Sequence, residues 1–67
     1  MNDFILKVEN IADGTVVLRA LRRYAIPQGM VVDFNNPVGL RMEQGDIARV
    51  QREVKELVNR GLLREVK

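Results

Sequence analysis

Arg19, Arg22, Arg23 and Tyr24 form the densest group of side chains in this sequence that could do chemistry. Three guanidinium groups beside a phenol suit a phosphate-contacting hairpin, the arginines neutralising backbone charge and Tyr24 offering a face on which a base stacks. The same residues also suit a solvated strand face whose arginine stems cover apolar surface. That plainer reading is the favoured one, because a binding groove normally assembles several such groups. Phe4 and Phe34 sit in apolar runs and read as core, so no second aromatic supports stacking.

Catalytic groups are scarce. The 67 residues include no Cys, His, Ser or Trp, a single threonine (Thr15) and a single tyrosine (Tyr24). Nucleophilic catalysis needs a nucleophile with a base beside it, and imidazole, the usual base near neutral pH, is missing. A two-carboxylate hydrolase would need a cleft that so short a chain hardly encloses. Gly14, Gly29, Gly39, Gly45 and Gly61 are scattered as turn or cap residues and form no phosphate-cradling loop. The expectation is a protein that is not an enzyme, with no catalytic residues, cofactor, metal site or small-molecule substrate.

The elements that would position the arginines must fit in one small domain spanning 1–67. Domains of roughly 60 residues bury only about 60% of their unfolded surface, so many need a staple. Without cysteine there is no disulfide, and without histidine a transition-metal site is disfavoured. Contact with other subunits is the staple that remains. Apolar residues at 46% and charged residues at 30% place the chain among folded proteins. Its net charge of +2 is slight and reflects a small arginine excess. The apolar runs are too short to span a membrane. Met1-Asn2-Asp3-Phe4 lacks the basic start and small-residue cleavage site of a signal peptide. With no cysteine to mark a redox environment, synthesis inside the cell is the default expectation.

Patterning predicts an α+β fold: a short antiparallel β-meander over residues 4–34, a loop over 35–45, one amphipathic helix over 46–60 and a short terminal strand within 62–66. In Phe4-Ile5-Leu6-Lys7-Val8-Glu9, Leu6 and Val8 face one way and Lys7 and Glu9 the other. Asp13-Gly14 is the strongest hairpin signal, and Val16-Val17-Leu18-Arg19 follows as a β-branched strand. Residues 20–23 fit either a helical stripe (Val17, Leu21, Tyr24) or strand parity, with a turn or bulge preferred. Arg23-Tyr24-Ala25-Ile26 and Met30-Val31-Val32-Asp33-Phe34 complete the strands, joined by a turn at Pro27-Gln28-Gly29. Links this short make neighbouring strands antiparallel.

The helix is the clearest element. Asp46 suits the N-cap, near the positive end of the helix dipole. Ile47, Val50, Val54, Leu57 and Val58 then recur at three- and four-residue steps as one apolar stripe. The other face allows Arg49–Glu53, Arg52–Glu56 and Glu56–Arg60 pairs. Gly61 fits the left-handed position past the helix, with Leu62 folding back on Leu57 as in a Schellman ending.

Leu21, Met30, Val38, Leu40 and Met42 exceed what one helix and a small sheet readily hide, and they form the candidate protein interface. The alternative is that they fill a small core. A short sheet also leaves an edge able to accept a strand from another chain. Glu56-Leu57-Val58-Asn59-Arg60-Gly61-Leu62-Leu63-Arg64 resembles the recognition-helix-to-wing segment of winged-helix DNA-binding proteins. The upstream helices of that family have no counterpart, because residues 16–34 read as β.

Taken whole, the order of features resembles small bacteriophage virion-assembly proteins of the auxiliary capsid or head-to-tail type. The resemblance is carried by Val8-Glu9-Asn10-Ile11-Ala12-Asp13-Gly14, by the Pro-x-Gly turn in Ile26-Pro27-Gln28-Gly29-Met30-Val31-Val32, and by the ending Leu57-Val58-Asn59-Arg60-Gly61-Leu62-Leu63. It implies a structural protein located in the virion, and in the host cytoplasm during assembly. It also implies capsid or connector subunits, or further copies of itself, as partners. The competing expectation is a small nucleic-acid-binding regulator acting through Arg19, Arg22, Arg23 and Tyr24.

Overall fold

The computed structural model describes residues 4–35, 40 and 42–66. Five strands and one helix follow in the order β1 (Lys7–Asn10), β2 (Val16–Leu18), β3 (Tyr24–Ile26), β4 (Val31–Asp33), α1 (Gln44–Asn59) and β5 (Leu63–Glu65), with a 3₁₀ turn at Arg19–Leu21 between β2 and β3. The class is α+β, with antiparallel strands, one helix and a terminal strand, as the patterning predicts.

The pairing is less local than a run of consecutive hairpins. One sheet has the order β4-β1-β5 and a second consists of β2 and β3 alone. β1 pairs antiparallel with β4 (Val8 opposite Val32) and with β5 (Glu9 opposite Arg64). The first strand is therefore completed by residues more than fifty positions away. The Asp13-Gly14 signal makes no hairpin between β1 and β2. Its glycine does not take the positive φ that a tight two-residue hairpin requires.

Asn10 explains the departure. Its side chain is buried and fully used: Oδ1 accepts from the Ala12 N–H at 2.8 Å, and Nδ2 donates to the carbonyls of Gly14 at 2.8 Å and Ile26 at 2.7 Å. The bond two residues ahead is an Asx turn, which lets asparagine bend its own backbone. The Ile26 bond ties the end of β1 to the end of β3. Asn10 also bonds through its backbone, donating to the Met30 carbonyl at 3.0 Å and accepting from Gly29 at 2.9 Å. The chain thus leaves β1 toward the second sheet, and both flanks of β1 stay free for β4 and β5.

Side-chain parity breaks at the start of β1. Ile5 and Val8 are buried while Leu6 is 47% exposed, so Leu6 and Val8 do not share a face. The cause is Gln51, a buried residue of α1. Its Oε1 accepts from the Ile5 N–H and its Nε2 donates to the Ile5 carbonyl, both at 2.8 Å. This two-point clamp draws Ile5 against the helix and turns Leu6 outward.

α1 begins two residues before the predicted cap. Glu43 is the N-cap, and Asp46 stands in the first turn, where its carboxylate accepts the Glu43 N–H at 3.2 Å. An acidic side chain reaching back from the third helical position satisfies a terminal N–H as well as a cap would. That bond first, and the Arg49 guanidinium second, hold the Asp46 carboxyl below the ordinary carboxylate range. The other end follows the Schellman pattern. Gly61 takes φ +79, its N–H reaches the Val58 carbonyl, and the Leu62 N–H reaches the Leu57 carbonyl, both at 3.0 Å.

Val50, Val54 and Leu57 of the helical stripe are buried, while Ile47 and Val58 are half-buried at its margins. They join Ile5, Val8, Val16, Leu18, Leu21, Ile26, Val32, Phe34 and Leu63 in one core. Phe34 is the largest of the fully buried side chains. Each such residue contributes about 1.5–3 kcal/mol on burial.

Candidate interaction surfaces

Two surfaces emerge from this frame, one on the hairpin and helix and one on the outer side of the β4-β1-β5 sheet.

The first surface begins with Glu53. The expected Arg49–Glu53 pair does not form. Both Glu53 oxygens instead accept backbone N–H groups at the start of the 3₁₀ turn, from Arg19 at 3.0 Å and Ala20 at 2.9 Å. A carboxylate there satisfies donors that a short helical turn otherwise leaves free. It also pins the β2–β3 connection to the helix, where Leu21 buries itself in the core. Arg49 turns to Asp46 instead, and Arg60 approaches Glu56 at 4.0 Å. No Arg52–Glu56 ion pair forms among the described residues.

Held this way, the connection raises Arg19, Arg22 and Arg23 into solvent, next to the arginines of α1. Arg19, Arg49, Arg52, Glu53 and Glu56 line a single shallow groove. Arg19 and Arg23 line another with Val17. Arg22 lies close enough to Asp46 to favour its charged form. Arg22 and Arg23 both adopt left-handed backbone, with φ 52 and 59. Tyr24 behaves differently: it is half-buried and packs against the core. Of the four residues read as a nucleic-acid contact, three arginines share one surface and the tyrosine belongs to the interior margin.

The second surface replaces the candidate apolar interface. Leu21 is only 4% exposed and belongs to the core. The 3₁₀ turn at Arg19–Leu21 rotates it inward. Leu40 and Met42 are half-buried against the core, and Val38 lies outside the described residues. Among the four that are described, Met30 alone is an exposed large apolar residue, at 43%. Its exposed neighbours are Ile11 and Val31, each at 49%, which the sequence reading did not single out. Strand parity could have found them: Val32 and Phe34 point inward, which turns Val31 outward, and Ile11 continues the outward series of Lys7 and Glu9.

The register puts Ile11 and Val31 on one side of this sheet, with Met30 just before β4. Glu9 stands opposite Val31, Asn10 bonds Met30, and Ile11 donates to the Leu62 carbonyl at 3.1 Å. Around the apolar residues lie the Glu9–Arg64 ion pair and the facing Lys7 and Asp33. β4 and β5 are the two edges of this sheet.

Among the described residues, no group of three or more carboxylates gathers closely enough to hold a metal ion. No protein-family model matches this chain, and neither a curated protein nor a solved structure matches it.

Proposed function

We propose that this protein is a non-enzymatic structural module that attaches to other protein subunits in a repeated assembly, of the virion kind its sequence layout resembles. The observation that carries the reading is the outer side of the β4-β1-β5 sheet. There Ile11 and Val31 are exposed, with Met30 exposed at the entry to β4, beside a rim of Lys7, Glu9, Asp33 and Arg64. An apolar centre within a charged rim is the common anatomy of a protein interface. β4 is an edge of this sheet, and an edge is where a partner strand can bond. A small domain gains stability from such attachment by mass action. The partners fitting this role are capsid or head-to-tail connector subunits, met in the host cytoplasm during assembly and retained in the virion.

The test is affinity capture of the tagged protein from its native source, with a nuclease-treated sample in parallel and Val31→Lys as the control. Recovery of capsid or connector subunits, unaffected by nuclease and lost in Val31→Lys, is the expected result. Equal recovery by both proteins would remove the sheet face from the account. Recovery of no assembly protein would remove the assembly role.

A further inference from the structure

The arginine surface has its own logic. Six arginines (Arg19, Arg22, Arg23, Arg49, Arg52 and Arg60) stand here with three carboxylates (Asp46, Glu53 and Glu56). The whole chain carries +2, so this side holds more than the entire excess. The carboxylates are also engaged: Asp46 with Glu43 and Arg49, Glu56 near Arg60, and Glu53 on two backbone N–H groups. Arg19, Arg22, Arg23 and Arg52 are left without an ion pair among the described residues.

The backbone gives a second, independent indication. Two consecutive left-handed residues are the requirement of a type I′ turn, which sequences normally meet with Asn-Gly. Left-handed backbone costs a side-chain-bearing residue roughly 1–2 kcal/mol. Here both positions are arginine. Neither the ion pairs nor the hydrogen bonds of the described residues use Arg22 or Arg23 to hold the fold. Strain kept where a cheaper residue exists points to a functional demand on the side chain.

We infer that Arg19, Arg22, Arg23 and Arg52 form a contact surface for the phosphate backbone of double-stranded nucleic acid. Arginine forks match phosphate oxygens two at a time. A duplex fits better than a single strand because binding single strands relies on aromatic stacking. Phe34 is buried, and Phe4 and Tyr24 are half-buried against the core. Contact through phosphates alone positions the protein without reading sequence. This surface uses elements other than those of the sheet face, so either can fail without the other.

The experiment is fluorescence anisotropy with a labelled DNA duplex of arbitrary sequence, titrated across a salt series. Four neutralised phosphates predict a slope of log affinity on log salt of about −3.6, at about −0.9 per contact. The double variant Arg22→Asn, Arg23→Gly should halve that slope to about −1.8, by the same relation, while melting no lower than wild type. Arg52→Gln should reduce it by about one unit without regard to duplex sequence. An absence of duplex binding at low salt would overturn the inference. So would an unchanged slope in the double variant, or displacement of the duplex by polyglutamate at equal charge concentration, which would mark an acidic-protein surface instead.

Discussion

The end of β1 and the turn between β2 and β3 handle polar side chains in opposite ways. At Asn10 a neutral amide is buried and satisfies three backbone groups, joining β1 to the 10–14 turn and to β3. At Arg22 and Arg23 two charged side chains are exposed on a backbone that favours other residues. One site converts side-chain chemistry into fold stability, and the other gives up stability to display charge. The contrast separates polar groups that the fold uses from charges that it leaves without an ion pair among the described residues.

Breaking the first region should have the largest effect. Asn10→Ala removes one buried and two part-buried hydrogen bonds and strands the Ala12 N–H and the Gly14 and Ile26 carbonyls, costing about 3 kcal/mol or more at roughly 1–3 per unsatisfied group. A single core of this size rarely supplies more than about 3–5 kcal/mol, so circular dichroism should report a largely unfolded chain. Gln51→Leu comes next. It keeps the volume but strands the N–H and carbonyl of Ile5, for about 2–3 kcal/mol. Because only the N-terminal strand loses its clamp, amide exchange should accelerate at Ile5 before it does in β5.

Smaller effects sharpen the second region. Glu53→Ala removes the carboxylate from the Arg19 and Ala20 amides and should cost about 1 kcal/mol, the usual value for a lost cap. Urea denaturation would measure it, and exchange should rise in the 3₁₀ turn while β1 stays protected. The smallest change concerns acid. Asp46 has its carboxyl lowered by the Glu43 N–H and then by Arg49. Its contribution is present above the unfolded-state value and is lost as pH falls through the lower folded one. The protection of helix N-terminal amides, relative to intrinsic exchange at each pH, should therefore fall as pH drops below the ordinary carboxylate range, and Asp46→Asn should abolish that dependence.

Sequence pattern reached the elements whose causes are local. The helix stripe, the Gly61 ending and the Pro27-Gln28-Gly29 turn each depend on residues within a few positions, and each appears, with φ +80 at Gly29. Strand pairing escaped because its determinants lie far apart: β5 completes β1 across most of the chain. Gln51 escaped because a glutamine on a helix reads as solvated until its partner, Ile5, arrives from 46 residues away. Glu53 was assigned to a neighbouring arginine, the nearest partner in sequence, when the backbone of a distant turn held the stronger claim. The arginine cluster was legible as residues. That α1 would extend it with Arg49 and Arg52 was not, since the Glu53 anchor and the burial of Leu21 against the helix are long-range.

Urea denaturation of the Arg22→Asn, Arg23→Gly variant separates a turn kept for binding from a turn kept for folding. The account predicts a midpoint above wild type, by about 1 kcal/mol in stability, because relief of the left-handed cost outweighs the added freedom of the unfolded chain. A midpoint clearly below wild type would mean that the two arginines hold the fold together, contradicting the division of roles.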